Sequence, residues 1–400
     1  MKNLSFYACL LFLSLSCSKE ENIEPVADVP SSPSNPSKNY QLPSYELEKS
    51  EIKIDLIDLR KRNGRNSGFI LAIAYFDINN DGVDDIFLNP GSGNNDKSEA
   101  EMYVFKNGDY VLDNSFFIKP SSLVHARKAL VGDFNKDGKP DVFITGHGYD
   151  RPPFPGEHTQ LLMSNSSDKY DLKSFESKVG FYHSATSGDF DKDGDLDIFV
   201  LGGTNSYFLI NDGKGNFTIS TDQIDNNKLG GHYHCEFIDI DKDGFLDLIV
   251  GGHEMDSDNF TEIFWGNPDL KFSSSNKSQL PEVDNYGVIT DLDIFDLDGD
   301  GKNEIAVTRT GGKWISNEMK YFYNGWYIQI IKINNRAASD VTSEFIKKNL
   351  MDYASPTSWI SWMRFDDYDK NGKIDFFSTK CGGADFVRWE LQNKKLVKNQ

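Results

Sequence analysis

Carboxylates recur in this sequence at a spacing that suits a hard cation. One stretch reads Asp189-Phe190-Asp191-Lys192-Asp193-Gly194-Asp195-Leu196-Asp197 and runs directly into the apolar segment Ile198-Phe199-Val200. The same D-x-[DN]-x-[DN]-G-x-x-[DE] pattern occurs five more times. Its ligand positions are Asp77, Asn79, Asp81 and Asp85; Asp133, Asn135, Asp137 and Asp141; and Asp239, Asp241, Asp243 and Asp247. The last two sets are Asp296, Asp298, Asp300 and Glu304, then Asp367, Asp369, Asn371 and Asp375. Alternate acids in a tight loop converge on one point and repel one another. A calcium ion, which accepts six to eight oxygens in an irregular cage, removes that repulsion. The glycine at the sixth position allows the sharp turn. The seventh position offers a backbone carbonyl, and the ninth a closing carboxylate. About six structural calcium ions are expected.

An EF-hand begins similarly but needs a glutamate at position twelve and flanking helices. Position twelve here is Leu88, Ile144, Val200, Val250, Val307 and Ser378. The flanks, such as Ala129-Leu130-Val131 and Val142-Phe143-Ile144, have strand composition. The elements that position the acids are therefore strands, one before and one after each loop. The loops start 56, 56, 50, 57 and 71 residues apart, which marks one repeated unit.

The chain carries a formal charge of -20. Twenty-four loop positions, three of them asparagine, hold 21 of its 62 carboxylates. The acidity is thus largely cation-ligand inventory. It excludes a nucleic-acid partner, which needs a basic face. Of the four cysteines, Cys9 lies in the N-terminal leader and Cys17 at its end. Cys235 and Cys381 sit in repeats that are not neighbours, so buried free thiols are expected.

These loops, set between short strands and repeated at fifty to sixty residues, resemble the FG-GAP/VCBS repeats of integrin-type β-propellers. The FG and GAP signatures themselves are weak or missing, so the likeness is to the bacterial VCBS-like branch. It implies an all-β propeller of six four-stranded blades, or seven if residues 45–67 belong to another. In that fold each calcium loop joins the first and second strands of a blade.

Residues 1–16 read as a lipoprotein signal peptide, too short to span a membrane. Small residues ahead of Cys17 resemble a lipoprotein box, which makes Cys17 the lipidated residue. Ser18-Lys19-Glu20-Glu21 resembles the surface-export cue of Bacteroidetes lipoproteins. Residues 17–44 are a Pro/Ser-rich tether. The propeller is assigned to 45–400, with 45–67 contributing a strand over Ile52–Ile57 or a cap. The blades fall at 68–124, 125–180, 181–230, 231–286, 287–356 and 357–400. The fifth carries an insertion at 310–325. An outer-membrane, cell-surface location and a monomer are expected.

If the acidic loops occupy one face, the residues before each first strand and after each second strand meet on the other. There stand His125, His183, His232, His234, Trp359 and Trp362, then His147, His253, Arg309 and Lys380. Trp314, Tyr321 and Tyr323 come from the insertion. Flat rings beside polar donors suit a sugar. His232 and His234, two apart on a strand, would share a side and could ligate a transition metal. No G-x-S-x-G, H-E-x-x-H or phosphate-cradling loop is present. Binding of an extracellular glycan is therefore expected ahead of catalysis. A polysaccharide lyase using His with Arg or Lys at that face, and a protein-adhesion module, are the alternatives.

Overall fold

The computed structural model describes residues 56–398, apart from 66–68, 92–93, 226–228, 255–258, 316–317, 321, 347–358, 367–374, 381–382 and 393–394. Four-stranded antiparallel sheets follow one another along the chain. The first is Phe69–Phe76, Asp85–Gly91, Glu101–Lys106 and Asp109–Leu112. The second is Ala126–Gly132, Asp141–Gly146, Gln160–Ser164 and Tyr170–Ser174. The third is Ser184–Gly188, Asp197–Leu201, Tyr207–Asn211 and Phe217–Ser220. The fourth is His232–Ile238, Asp247–Gly252, Glu262–Phe264 and Lys277–Gln279. The fifth is Val288–Phe295, Glu304–Thr310, Trp326–Asn334 and Ala337–Asp340. Each sheet pairs its strands antiparallel in chain order, joined by turns or by longer loops such as 147–159 and 311–325.

Five blades, not the six or seven expected, are described with their side chains. A further four-stranded sheet, Ile360–Asp366, Asp375–Lys380, Gly383–Gln392 and Lys395–Lys398, is described chiefly by its backbone pairing. The first strands of successive sheets lie side by side, which places the sheets radially around an axis. Apolar seams bond each to the next. Phe87 and Val104 of the first blade meet Ala129 and Ile144 of the second. Phe143 and Leu161 of the second meet Ile198 and Leu209 of the third. Phe199 and Phe208 meet Leu248 and Phe264, and Ile249 and Ile263 meet Ile305 and Ile331. Ile328 and Ile330 of the fifth pack on Ile360 and Met363 of the C-terminal sheet.

The second strands of the five blades are wholly buried, because both faces serve a seam. That explains their continuous apolar runs without alternation.

Of the strand or cap expected around Ile52–Ile57, the described part forms a helix. Its beginning lies outside the described residues, and Leu56–Arg62 is a helix. Leu56 and Leu59 of that helix cover one face of blade one, on Ile73, Ile86, Leu88 and Tyr103. The 3–4 spacing of apolar positions fits a helical stripe, whereas a strand would turn alternate residues to water. The helix also packs on Gly383–Gln392, so it stands between the first and last sheets. Arg60 fixes it, donating from Nε and Nη2 to Glu101 at 2.8 and 3.0 Å, both side chains buried. The insertion of blade five holds a small hairpin, Lys313–Ile315 with Glu318–Lys320.

No helix among the described residues is long and apolar enough to cross a membrane. Residues 1–55, with Cys17, lie outside the described residues.

Candidate functional site

On one face, the five described acidic loops fold by the same bonds. The first acid caps the turn: Asp77, Asp133, Asp189, Asp239 and Asp296 each accept the sixth-position glycine N–H at 2.7 to 3.1 Å. The fourth position is left-handed in all five, with Asn80, Lys136, Lys192 and Lys242 at φ 57 to 67° and Gly299 at 71°. A side chain there costs about 1–2 kcal/mol, so something beyond local preference holds the turn. The second-position residue, Phe134, Phe190, Ile240 or Leu297, is buried in the seam between blades. It anchors the loop with roughly 1.5–3 kcal/mol of apolar burial.

The ninth-position carboxylate does more than close a cage. One oxygen of Asp85, Asp141, Asp197 and Asp247 accepts the second-position N–H of its own loop. The other accepts a backbone N–H of the third strand, from Phe105, Ser164 and Asn211, or from Gly266 two residues beyond it. This acid thus ties loop to sheet, and it is fully buried. Burial pushes Asp141 and Asp197 up to about 6 and Asp247 to about 7.

Three loops bring three carboxylate oxygens within 4.8 Å of one another: Asp189, Asp191 and Asp197; Asp239, Asp241 and Asp247; and Asp296, Asp298 and Asp300. Asp239 Oδ1 is buried without a hydrogen-bond partner. Converging, under-satisfied hard oxygens fit calcium chemistry. In the fifth blade the Lys332 ammonium reaches Asp298 at 2.7 Å and Glu304 at 3.2 Å, and offsets part of the repulsion there. Asp367, Asp369 and Asn371 lie outside the described residues, as does the side chain of Asp375.

Fourth-position lysines link the loops around the ring, which the repeat pattern alone did not indicate. Lys136 of the second loop pairs with Asp195 of the third. Lys192 lies 4.1 Å over the Phe245 ring of the fourth. Lys242 donates to Gly301 O of the fifth.

The opposite face carries a chain of rings. His125 and His147 stand 3.9 Å apart by ring centroids, and His147 and His183 stand 4.8 Å apart. Tyr233 lies 4.6 Å from both His183 and His253. The arc continues through Phe322 and Tyr323 to Trp359. Phe181 stacks flat on His147 at 5.0 Å. Tyr233 and Phe181 were not singled out by sequence reasoning, although each adjoins a histidine that was. Arg127 lies near enough to depress the affinity of His147, His183, His234 and His253 for protons.

Two sequence expectations fail here. His232 and His234 do not share a side. The ladder slips one residue between them, a bulge at Tyr233 that cancels the two-residue alternation. His232 Nε2 then lies 2.9 Å from Phe260 O, while His234 Nδ1 lies 3.8 Å from Asp291. Arg309 offers nothing to a ligand. It is fully buried and spends its donors on Glu254 at 2.5 and 3.0 Å, Gln329 at 2.7 Å, and the carbonyls of Tyr286 and Pro281. Trp314, Trp362 and Lys380 belong to described strands, but their side chains lie outside the described residues. Trp359 is buried at the end of the arc. Cys235 is a buried free thiol, pushed up to about 12 by burial, and Cys381 lies outside the described residues.

Burial holds His125, His147 and His183 well below the usual imidazole range, and His234 and His253 at about 3. These rings are neutral at pH 7. The sign for stability follows. The unfolded chain takes up protons below about pH 6.5 while the folded chain resists, so stability present above that value is lost on acidification. His234 and His253 together should cost about 2–4 kcal/mol by pH 5, at about 1.4 kcal/mol per unit each. Thermal melts of the calcium-saturated protein at pH 7 and pH 5 should show a steep loss. The double variant His234→Gln/His253→Gln should flatten it; an equal slope in that variant would refute the assignment.

Radial four-stranded sheets joined by apolar seams, with acidic turns on one face and an arc of imidazole and aromatic rings on the other, define a β-propeller. The chain carries FG-GAP-like repeats: the family model of that description matches residues 77–144, 189–250 and 239–307. No curated protein matches the sequence. Among solved structures, an Agrocybe aegerita lectin that recognises non-reducing terminal N-acetylglucosamine is similar at 16% identity and TM-score 0.37, over 82% of this chain and 90% of that one. The V. cholerae biofilm matrix protein Bap1 is similar at 13% identity and TM-score 0.40, over 81% of this chain and 45% of that one. An ancestral GH74 enzyme is similar at 11% identity and TM-score 0.49, over 84% and 44%. The propeller assignment rests on the strand pairing above, not on these neighbours.

Proposed function

We propose that this protein is a calcium-stabilised, surface-anchored propeller that binds an extracellular glycan at the face opposite its acidic loops. One observation carries the reading: the arc from His125 to Trp359 offers flat rings together with buried ring nitrogens, His183 Nδ1 and His253 Nδ1, that have no partner. Rings stack on sugar faces, and neutral imidazoles exchange hydrogen bonds with hydroxyls. Arg127 adds positive charge among them and favours a sugar that carries a carboxylate. The acidic loops bind calcium for structure, and the C-terminal sheet serves as a sixth blade with the Leu56–Arg62 helix wedged where the ring closes. Lipidation at Cys17 and the tether 17–44 hold the propeller on the outer membrane.

Affinity electrophoresis in calcium across neutral and uronic-acid polysaccharides tests the mouth. Retardation by at least one polymer is expected, reduced tenfold or more in Tyr233→Ala and His183→Ala. No retardation across the panel would overturn the glycan reading. Release of unsaturated products from a uronic-acid polymer would place the protein among lyases instead.

A further inference from the structure

We infer that His125, His147 and Asp150 form a binding site for a borderline divalent cation of the zinc type, distinct from the acidic loops. One ligand atom from each residue lies within 4.8 Å of the other two. Two imidazoles and a carboxylate are a donor set for zinc or a related transition metal, not for calcium, which takes oxygens.

The site is built into the end of blade two. His125 precedes the first strand and His147 follows the second; Ala126 pairs with Gly146, and His147 N–H donates to His125 O at 3.3 Å. Gly148 then turns the chain at φ 70°, where a Cβ would meet Gly156 O at 2.5 Å. That turn returns Asp150 to the two histidines. Glu157, itself buried, holds the frame by accepting N–H groups of Val124, His125 and Gly148 at 2.9 to 3.0 Å.

The groups stand ready to ligate. His147 is 1% exposed, and its Nδ1 donates to Gly148 O at 3.0 Å. This fixes the tautomer and leaves the Nε2 lone pair available, the usual role of an outer partner at a metal site. Asp150 Oδ1 is buried with no hydrogen-bond partner, a state that costs free energy unless something else satisfies it. Both imidazoles are held neutral by burial, as ligands must be. Neighbouring ligand atoms in a tetrahedral zinc site lie about 3.3 Å apart, given bonds of about 2.0–2.1 Å. Side-chain rotations that bring the atoms at most about 1.5 Å closer would close this set. His183, with its buried Nδ1 unpartnered, flanks the remaining side and can supply the fourth ligand, or water can. Arg127 opposes a dication here, and the Asp150 carboxylate offsets one of the charges, so micromolar rather than nanomolar affinity is expected.

The test uses the full chain without a polyhistidine tag, saturated with calcium and free of glycan, so it does not depend on the glycan reading. Zinc is titrated by calorimetry, and cobalt(II) by visible absorbance. We expect one zinc per chain and the intense visible bands of four- or five-coordinate cobalt. His147→Gln and Asp150→Asn should weaken zinc at least tenfold while melting within a few degrees of the parent. Absence of saturable zinc uptake, or uptake equal to the parent's in both folded variants, would overturn the site. Should either variant fail to fold, the cobalt spectrum of the parent decides: pale, octahedral bands sink the proposal.

Discussion

In excess chelator, the protein should melt far below its calcium-saturated temperature. Each described loop gathers carboxylate or amide oxygens, and in the first four the ninth-position acid is buried against two backbone N–H groups. Without a cation, like charges face one another in a poorly hydrated turn whose fourth residue is already left-handed. A cation that binds only the folded chain stabilises it by about 1.4 kcal/mol per site at tenfold excess over its dissociation constant. Several such sites sum to several kcal/mol, comparable with the whole net stability of a domain. Scanning calorimetry in calcium and in chelator measures this directly. Superimposable curves would end the structural role of calcium. Blade five should depend on the ion least, because Lys332 already reaches its acids.

Arg309→Ala should destabilise the protein by about 3–5 kcal/mol, the range for removing one partner of a buried ion pair. Glu254 would be left buried, with Thr261 as its remaining side-chain donor. The pair joins the residue after His253, at the end of blade four's second strand, to the heart of blade five, so the seam between those blades should loosen first. Replacing both partners, Arg309→Met with Glu254→Leu, should recover much of the loss, since apolar groups of similar size need no partner. Denaturant melts of the two single variants and the double measure the coupling. A stable Arg309→Ala that had lost only glycan retention would show that the arginine serves a ligand after all.

The sequence by itself determined the repeating acidic turn, the strands on either side of it, and the division into two faces. Those features are local: ligands two residues apart, a glycine where the backbone must turn, and an apolar run immediately after. It also placed most of the histidines on the mouth side, because distance from a loop along a strand sets the face. Tertiary structure alone decided what those residues meet. A one-residue slip at Tyr233 separates His232 from His234, and no composition rule marks a bulge. Arg309 looked like a surface donor until Glu254, Gln329 and two carbonyls were folded around it. Asp150 joined His125 and His147 only through the turn at Gly148, and Lys136 met Asp195 only across a seam between blades. Contacts between blades depend on how radial sheets are juxtaposed. The run Leu56–Arg62 likewise lays Leu56 and Leu59, one helical turn apart, on Ile73, Ile86, Leu88 and Tyr103 of the first blade, a contact that depends on the tertiary fold.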